Sequence, residues 1–125
     1  MKAIFNGKIV LPDRIEDQKA LLFDRKIIDI VPADQIPENA ERIDAEGNYV
    51  IPGLVDMHIH GYLGEDTSDG SVEGIRKMAE GIVKNGVTAW LPTTMTVSYD
   101  DLRRAFNAVR VLMDKKNNPK GAQIM

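Results

Sequence analysis

The stretch PGLVDMHIHGYLGED, residues 52–66, decides how the chain is read. It starts apolar, carries His58 and His60, and then breaks at Gly61; these are the only two histidines in the sequence. Leu54 to His60 reads as a strand buried on one or both faces, and the glycine-rich continuation reads as a loop. Side chains alternate along a strand, so residues i and i+2 project together. The two imidazoles therefore share a face at a strand's C-terminal end, where parallel α/β folds build their sites. Two imidazoles so placed can converge on one cation at about 2.0–2.1 Å per bond to zinc. Neutral imidazole suits zinc, iron, nickel and copper alike. The pair by itself leaves a second reading equally open, in which both rings only hydrogen-bond at a strand end. Zinc takes three or four protein ligands, and the chain has no cysteine and no third histidine. Further ligands would be carboxylates here or groups outside this sequence.

Downstream, Val72, Ile75, Met78, Ala79, Ile82 and Val83 repeat at helical spacing. Asp69 or Ser71 can cap that helix, and Asn85-Gly86 ends it. VTAWLPTT (87–94) is rich in β-formers and reads as a second strand. Ser98 to Asp101 matches a capping box with Asp in place of Glu. It opens a second helix with Leu102, Ala105, Phe106, Val109, Leu112 and Met113 directed inward, and Lys115-Lys116 suit its C-terminal end. PKGAQIM (119–125) starts a third strand. Strand, helix, strand, helix, strand predicts parallel βαβ units and an α/β fold. A sheet this small cannot cover both faces, so Val87, Ala89, Leu91 and Ile124 are expected to lack neighbours. The expectation is an N-terminal portion of a larger α/β protein.

Upstream, only short β units are visible. Ala3–Phe5 and Lys8–Leu11 are predicted to form a hairpin across Asn6-Gly7, a pair suited to positive φ. Ala20–Phe23 and Lys26–Val31 form a second hairpin across Asp24-Arg25. PADQIPENA (32–40) reads as a loop. Arg42–Asp44 and Asn48–Val50 are short strands around Ala45-Glu46-Gly47. These pieces are too slight for an independent core.

Composition bounds the rest. The 125 residues are 43% hydrophobic and 28% charged, ordinary for one modest globular domain. A net charge of −3 gives no electrostatic footprint for nucleic acid or an acidic membrane surface. No apolar run is long enough to cross a bilayer, and the N-terminus lacks a secretory pattern. The absence of cysteine suits a reducing cytoplasm.

Taken together, RIDAEGNYVIPGLVDMHIHG (42–61) resembles the signature of the metal-dependent amidohydrolase superfamily. Within it, HIHG followed by GEDTSD and then NGVTAWLPTTMT is most similar to the N-acetylglucosamine-6-phosphate deacetylases. The resemblance covers essentially the whole chain, about the first third of such an enzyme. It implies a partial β-sandwich over residues 1–50 and, over 51–125, the first βαβα units of a truncated (β/α)8 TIM barrel. It implies that His58 and His60 bind a divalent metal, zinc or iron, and that a metal-activated water removes acetate from N-acetylglucosamine 6-phosphate. Partners implied are an amino-sugar phosphate substrate and further copies of the chain as a homo-oligomer, with no nucleic acid and no membrane. The family's bridging glutamate, later histidines and catalytic aspartate match no position here. A cyclic amidase or dihydroorotase-like enzyme is the alternative. Such enzymes commonly carry Arg two residues after the second histidine, where this chain has Tyr62. A non-catalytic scaffold is the other alternative.

Neighbouring residues receive structural roles. Asp56 shares the histidines' face and is expected to make a hydrogen bond within the strand. Asp66 and Asp69 are expected in turn and cap roles. Thr93, Thr94 and Thr96 stand where they could line a pocket or simply favour β-structure. Trp90 and Met95 are read as packing, and Lys77, Arg103 and Arg104 as solvated.

Overall fold

The computed structural model describes residues 1–118 and 120–125, and it divides into two compact units, Met1–Pro52 and Gly53–Met125. No helix among the described residues is long and apolar enough to cross a membrane.

The first unit contains β1 (Lys2–Phe5), β2 (Lys8–Val10), β3 (Ile15–Glu16), β4 (Lys19–Phe23), β5 (Ile27–Pro32), β6 (Glu41–Asp44) and β7 (Tyr49–Val50). They form two sheets, ordered β5-β4-β1-β6 and β3-β2-β7. The β4–β5 hairpin forms as the sequence predicts, with Leu21 opposite Ile30. The 32–40 loop contains a single 3-10 turn at Ala33–Gln35.

The hairpin expected across Asn6-Gly7 does not form. β1 pairs with β4 and β6, while β2 pairs with β3 and β7 in the other sheet. Residues 41–50 run parallel beside 2–10 and change sheets at the same level. Ala45 N donates to Phe5 O at 2.9 Å, Gly47 N to Asn6 O at 2.7 Å, and Lys8 N to Asn48 O at 2.9 Å. Asn6 does adopt positive φ, 53°. Gly7 is buried at the crossing, where a Cβ would lie 2.7 Å from that of Ala45. The local turn signal is real, but pairing with a distant segment overrides the hairpin.

The second unit opens with β8 (Leu54–Ile59), followed by β9 (Gly61–Tyr62), β10 (Glu65–Asp66), α1 (Val72–Ile82), β11 (Val87–Pro92), α2 (Tyr99–Met113) and β12 (Gln123–Ile124). β8, β11 and β12 make a parallel sheet ordered β12-β11-β8, and β9–β10 is a small hairpin. The order strand, helix, strand, helix, strand is the one the apolar periodicities predict. Ser71 and Ser98 cap the two helices, accepting from Gly74 N at 3.0 Å and from Asp101 N at 3.2 Å. Pro119, the first residue of the predicted third strand, lies outside the described residues; the strand itself is β12.

The core of this unit joins Ile75, Met78, Ala79 and Ile82 of α1 to Trp90, Ala108, Leu112, Ala122 and Ile124. Several expectations about burial are corrected. Leu54, Val55 and Met57 are exposed, because β8 is the sheet's edge and the helices cover other positions. Ile124 is buried in the helix-covered core rather than left without neighbours. Phe106 and Met113 face solvent, while Ala105, Ala108 and Leu112 are the buried residues of α2.

Candidate metal centre

β8 delivers the histidine pair as its two-residue period requires. His58 Nε2 and His60 Nε2 stand 3.1 Å apart, with the rings nearly perpendicular at 84°. Two nitrogens bound to one cation at about 2.0–2.1 Å are themselves separated by roughly 2.8–3.4 Å, as the angle between them opens from a right angle to the tetrahedral value. At 3.1 Å the two rings stand at hydrogen-bonding distance from each other, and the same spacing falls within the range for two ligands on a shared ion; the donor set fits a divalent transition metal.

The second nitrogen of His60 is also used. His60 Nδ1 lies 3.1 Å from the carbonyl oxygen of Thr93. A carbonyl only accepts, so Nδ1 carries the proton and Nε2 presents its lone pair. Metal-binding histidines are oriented in this way by their other ring nitrogen. Thr93 follows β11, and its own N–H donates to Ile59 O at 2.9 Å, continuing the β8–β11 ladder past Pro92. The carbonyl that holds His60 therefore comes from the C-terminal end of the neighbouring parallel strand.

After His60 the chain must turn sharply. A Cβ at Gly61 would lie 2.5 Å from the Glu65 carbonyl, so only glycine fits there. The 61–66 hairpin then leans on α1. Asn85 Nδ2 donates to the Tyr62 hydroxyl at 2.8 Å, and Lys77 pairs with Glu65 at 2.6 Å.

Other expected residues fall into distinct places. Asp56 Oδ1 accepts from the backbone N–H of His58 at 3.0 Å, the hydrogen bond within the strand that its position suggests. Asp66 and Asp69 form a capping box around the 3-10 turn Thr67–Asp69, again as turn and cap residues. Trp90 is fully buried, with Nε1 donating to Ala122 O at 3.2 Å, whereas Met95 is half exposed and does not pack as expected. Lys77 and Arg104 are exposed and paired with Glu65 and Asp101, and Arg103 lies over the Tyr99 ring. Thr94 is half-buried and Thr96 exposed. Among the described residues no cluster of three or more His, Asp or Glu side chains surrounds a common point. Sequence reading missed the Thr93 carbonyl, because a backbone acceptor carries no residue-type signal.

The chain is similar in sequence and in fold to known proteins. The chain is 40% identical over 68 residues, 54% of its length, to N-acetylglucosamine-6-phosphate deacetylase of Lysinibacillus sphaericus, covering 18% of that protein. It is 33% identical over 115 residues, 91% of its length, to dihydroorotase of Staphylococcus aureus strain Mu50, covering 26% of that protein. The crystal structure of N-acetylglucosamine-6-phosphate deacetylase from Pasteurella multocida superposes with a TM-score of 0.82 at 32% identity. That match covers 87% of this chain and 29% of that one. The chain thus spans between 18% and 29% of the length of these relatives. Residues 41–116, which hold both histidines and the strand whose end orients His60, match the amidohydrolase family, and the chain belongs to that family.

Proposed function

We propose that His58 and His60 supply two ligands to a divalent cation, zinc or iron, in an enzyme that deacetylates N-acetylglucosamine 6-phosphate. In this reading β8, α1, β11, α2 and β12 are the opening units of a (β/α)8 barrel over residues 51–125, preceded by a partial β-sandwich over 1–50. The observation that carries the proposal is the 3.1 Å approach of the two Nε2 atoms at the C-terminal end of a parallel strand. That is the end at which such barrels place their chemistry. When bound, the cation would polarise an amide carbonyl and make water acidic enough to attack near neutral pH. This chain's residues do the holding: His58 and His60 present lone pairs, the Thr93 carbonyl keeps the Nδ1 proton of His60, and Gly61 clears the chain from the mouth.

The amide of an N-acetyl sugar phosphate is favoured over dihydroorotate by position 62. Holding a substrate carboxylate there calls for a cation, but Tyr62 offers a phenol already hydrogen-bonded to Asn85. The deacetylase named among the relatives, matched at 40% identity, supports the same choice.

The test is acetate release from N-acetylglucosamine 6-phosphate, beside dihydroorotate turnover, in metal-loaded protein carrying these residues. His58→Ala with His60→Ala should lower bound metal and acetate release together. Dihydroorotate turnover without acetate release would contradict the substrate. Unchanged metal stoichiometry in the double variant would contradict the ligands.

A further inference from the structure

We propose that Ser68 is a positioning residue for His60, because its hydroxyl closes a ring of hydrogen bonds that begins at the His60 carbonyl and returns to the His60 imidazole. The proposal rests on the reading of His60 as a metal ligand. Its first link is Thr67 N–H donating to His60 O at 2.8 Å. The next residue is Ser68, whose Oγ accepts from Met95 N–H at 2.8 Å. Two residues before Met95, the Thr93 carbonyl accepts from His60 Nδ1 at 3.1 Å. Every other link in this ring is backbone or the histidine itself, so Ser68 is its one removable side chain.

The platform beneath Ser68 is firm enough to transmit position. Thr67 is buried at 1% exposure, and Gly70 stands against Arg104 and Ala105 of α2. Asp66 Oδ1 accepts from Ser68 N–H at 2.7 Å, which fixes the backbone that carries the hydroxyl. On the other side, Thr93 is held by its N–H on Ile59 O, and Ser68 holds the chain two residues later. The Thr93 carbonyl is thus fixed from both directions, and with it the proton on Nδ1 and the lone pair on Nε2. Removing the hydroxyl frees residues 93–95 from the 66–69 turn without touching either histidine.

Zinc affinity of the 125-residue chain, titrated by NMR, is compared for wild type, Ser68→Ala, Ser68→Thr and the His58→Ala/His60→Ala pair. Thermal midpoints are recorded alongside. Loss of a partner that orients a ligand costs about 10–100-fold in metal affinity, and Ser68 acts one step further out, so about tenfold is expected for Ser68→Ala. Ser68→Thr should restore it. In the metal-free chain, long-range nitrogen–proton spectra should show His60 protonated at Nδ1 in wild type and as a tautomer mixture in Ser68→Ala. Wild-type affinity and an unchanged tautomer in Ser68→Ala would overturn the assignment. So would a loss of affinity that Ser68→Thr does not restore. If the double histidine variant binds zinc as wild type does, the metal reading fails instead, and the metal-free tautomer still decides the role of Ser68.

Discussion

His60 engages three neighbours at once: His58 through Nε2, Thr93 through Nδ1 and Thr67 through its carbonyl. The first of these was legible in the sequence, since a two-residue period alone puts residues 58 and 60 on one face. The others were not, because main-chain partners leave no mark on residue type and a serine in GEDTSDG reads simply as a turn residue. Leu63 has a φ of +56°, ahead of Gly64 at +81°. The two form a turn between paired Tyr62 and Glu65 that requires positive φ at both positions, the setting in which Asn-Gly is preferred. A branched side chain in the left-handed region costs about 1–2 kcal/mol. Leu63 is half exposed, so it recovers only part of that through contact with α1. Leu63→Asn should therefore raise the thermal midpoint; a lower midpoint would show that contact with the helix outweighs the backbone cost.

Among the elements, the helices were the most legible, because capping residues and apolar spacing are local. The strand partners of the first unit were the least, because β1 and β2 choose partners some 40 positions away. Asn6-Gly7 announced a conformation and could not announce a pairing. On α2 the apolar spacing admitted Phe106 and Met113 equally well, whereas the structure buries the face of Ala105, Ala108 and Leu112. The N-terminus of α2 gives two predictions. Ser98→Ala should destabilise the second unit by about 1 kcal/mol, the usual cost of losing a cap, measured by denaturant unfolding. Asp101 has its carboxyl pKa held below the ordinary 3.8, first by the Ser98 hydroxyl and then by Arg104. A depressed folded value means stability that is present above the ordinary value and lost as pH falls through the folded one. Asp101→Asn should thus lower the thermal midpoint near neutrality, with the difference from wild type closing in acid. A constant difference across that range would contradict the linkage.

For the whole chain, the two units differ in how much they bury. The core of residues 1–52 centres on Ala3, Ala20, Leu22, Ile36 and Ala40, three of them alanines, whereas residues 53–125 bury Trp90, Ile75, Met78 and Leu112 completely. A core of that kind gives little apolar area to offset chain entropy. A peptide of residues 1–52 should show no cooperative thermal transition by circular dichroism, and a sharp one would contradict this. In the second unit the exposed Leu54, Val55 and Met57 lie on an edge strand, a place where unpaired backbone groups recruit another chain. Light scattering should accordingly give a mass of at least twice the 13.9 kDa of one chain, and a monodisperse monomer would contradict it. In the proposed function one cation sits between the imidazoles of His58 and His60. X-ray absorption at the zinc edge of the zinc-loaded protein tests it most directly. Two imidazole nitrogens at about 2.0–2.1 Å are expected, both lost in His58→Ala/His60→Ala. A zinc shell made only of oxygen, or one unchanged in that variant, would contradict it.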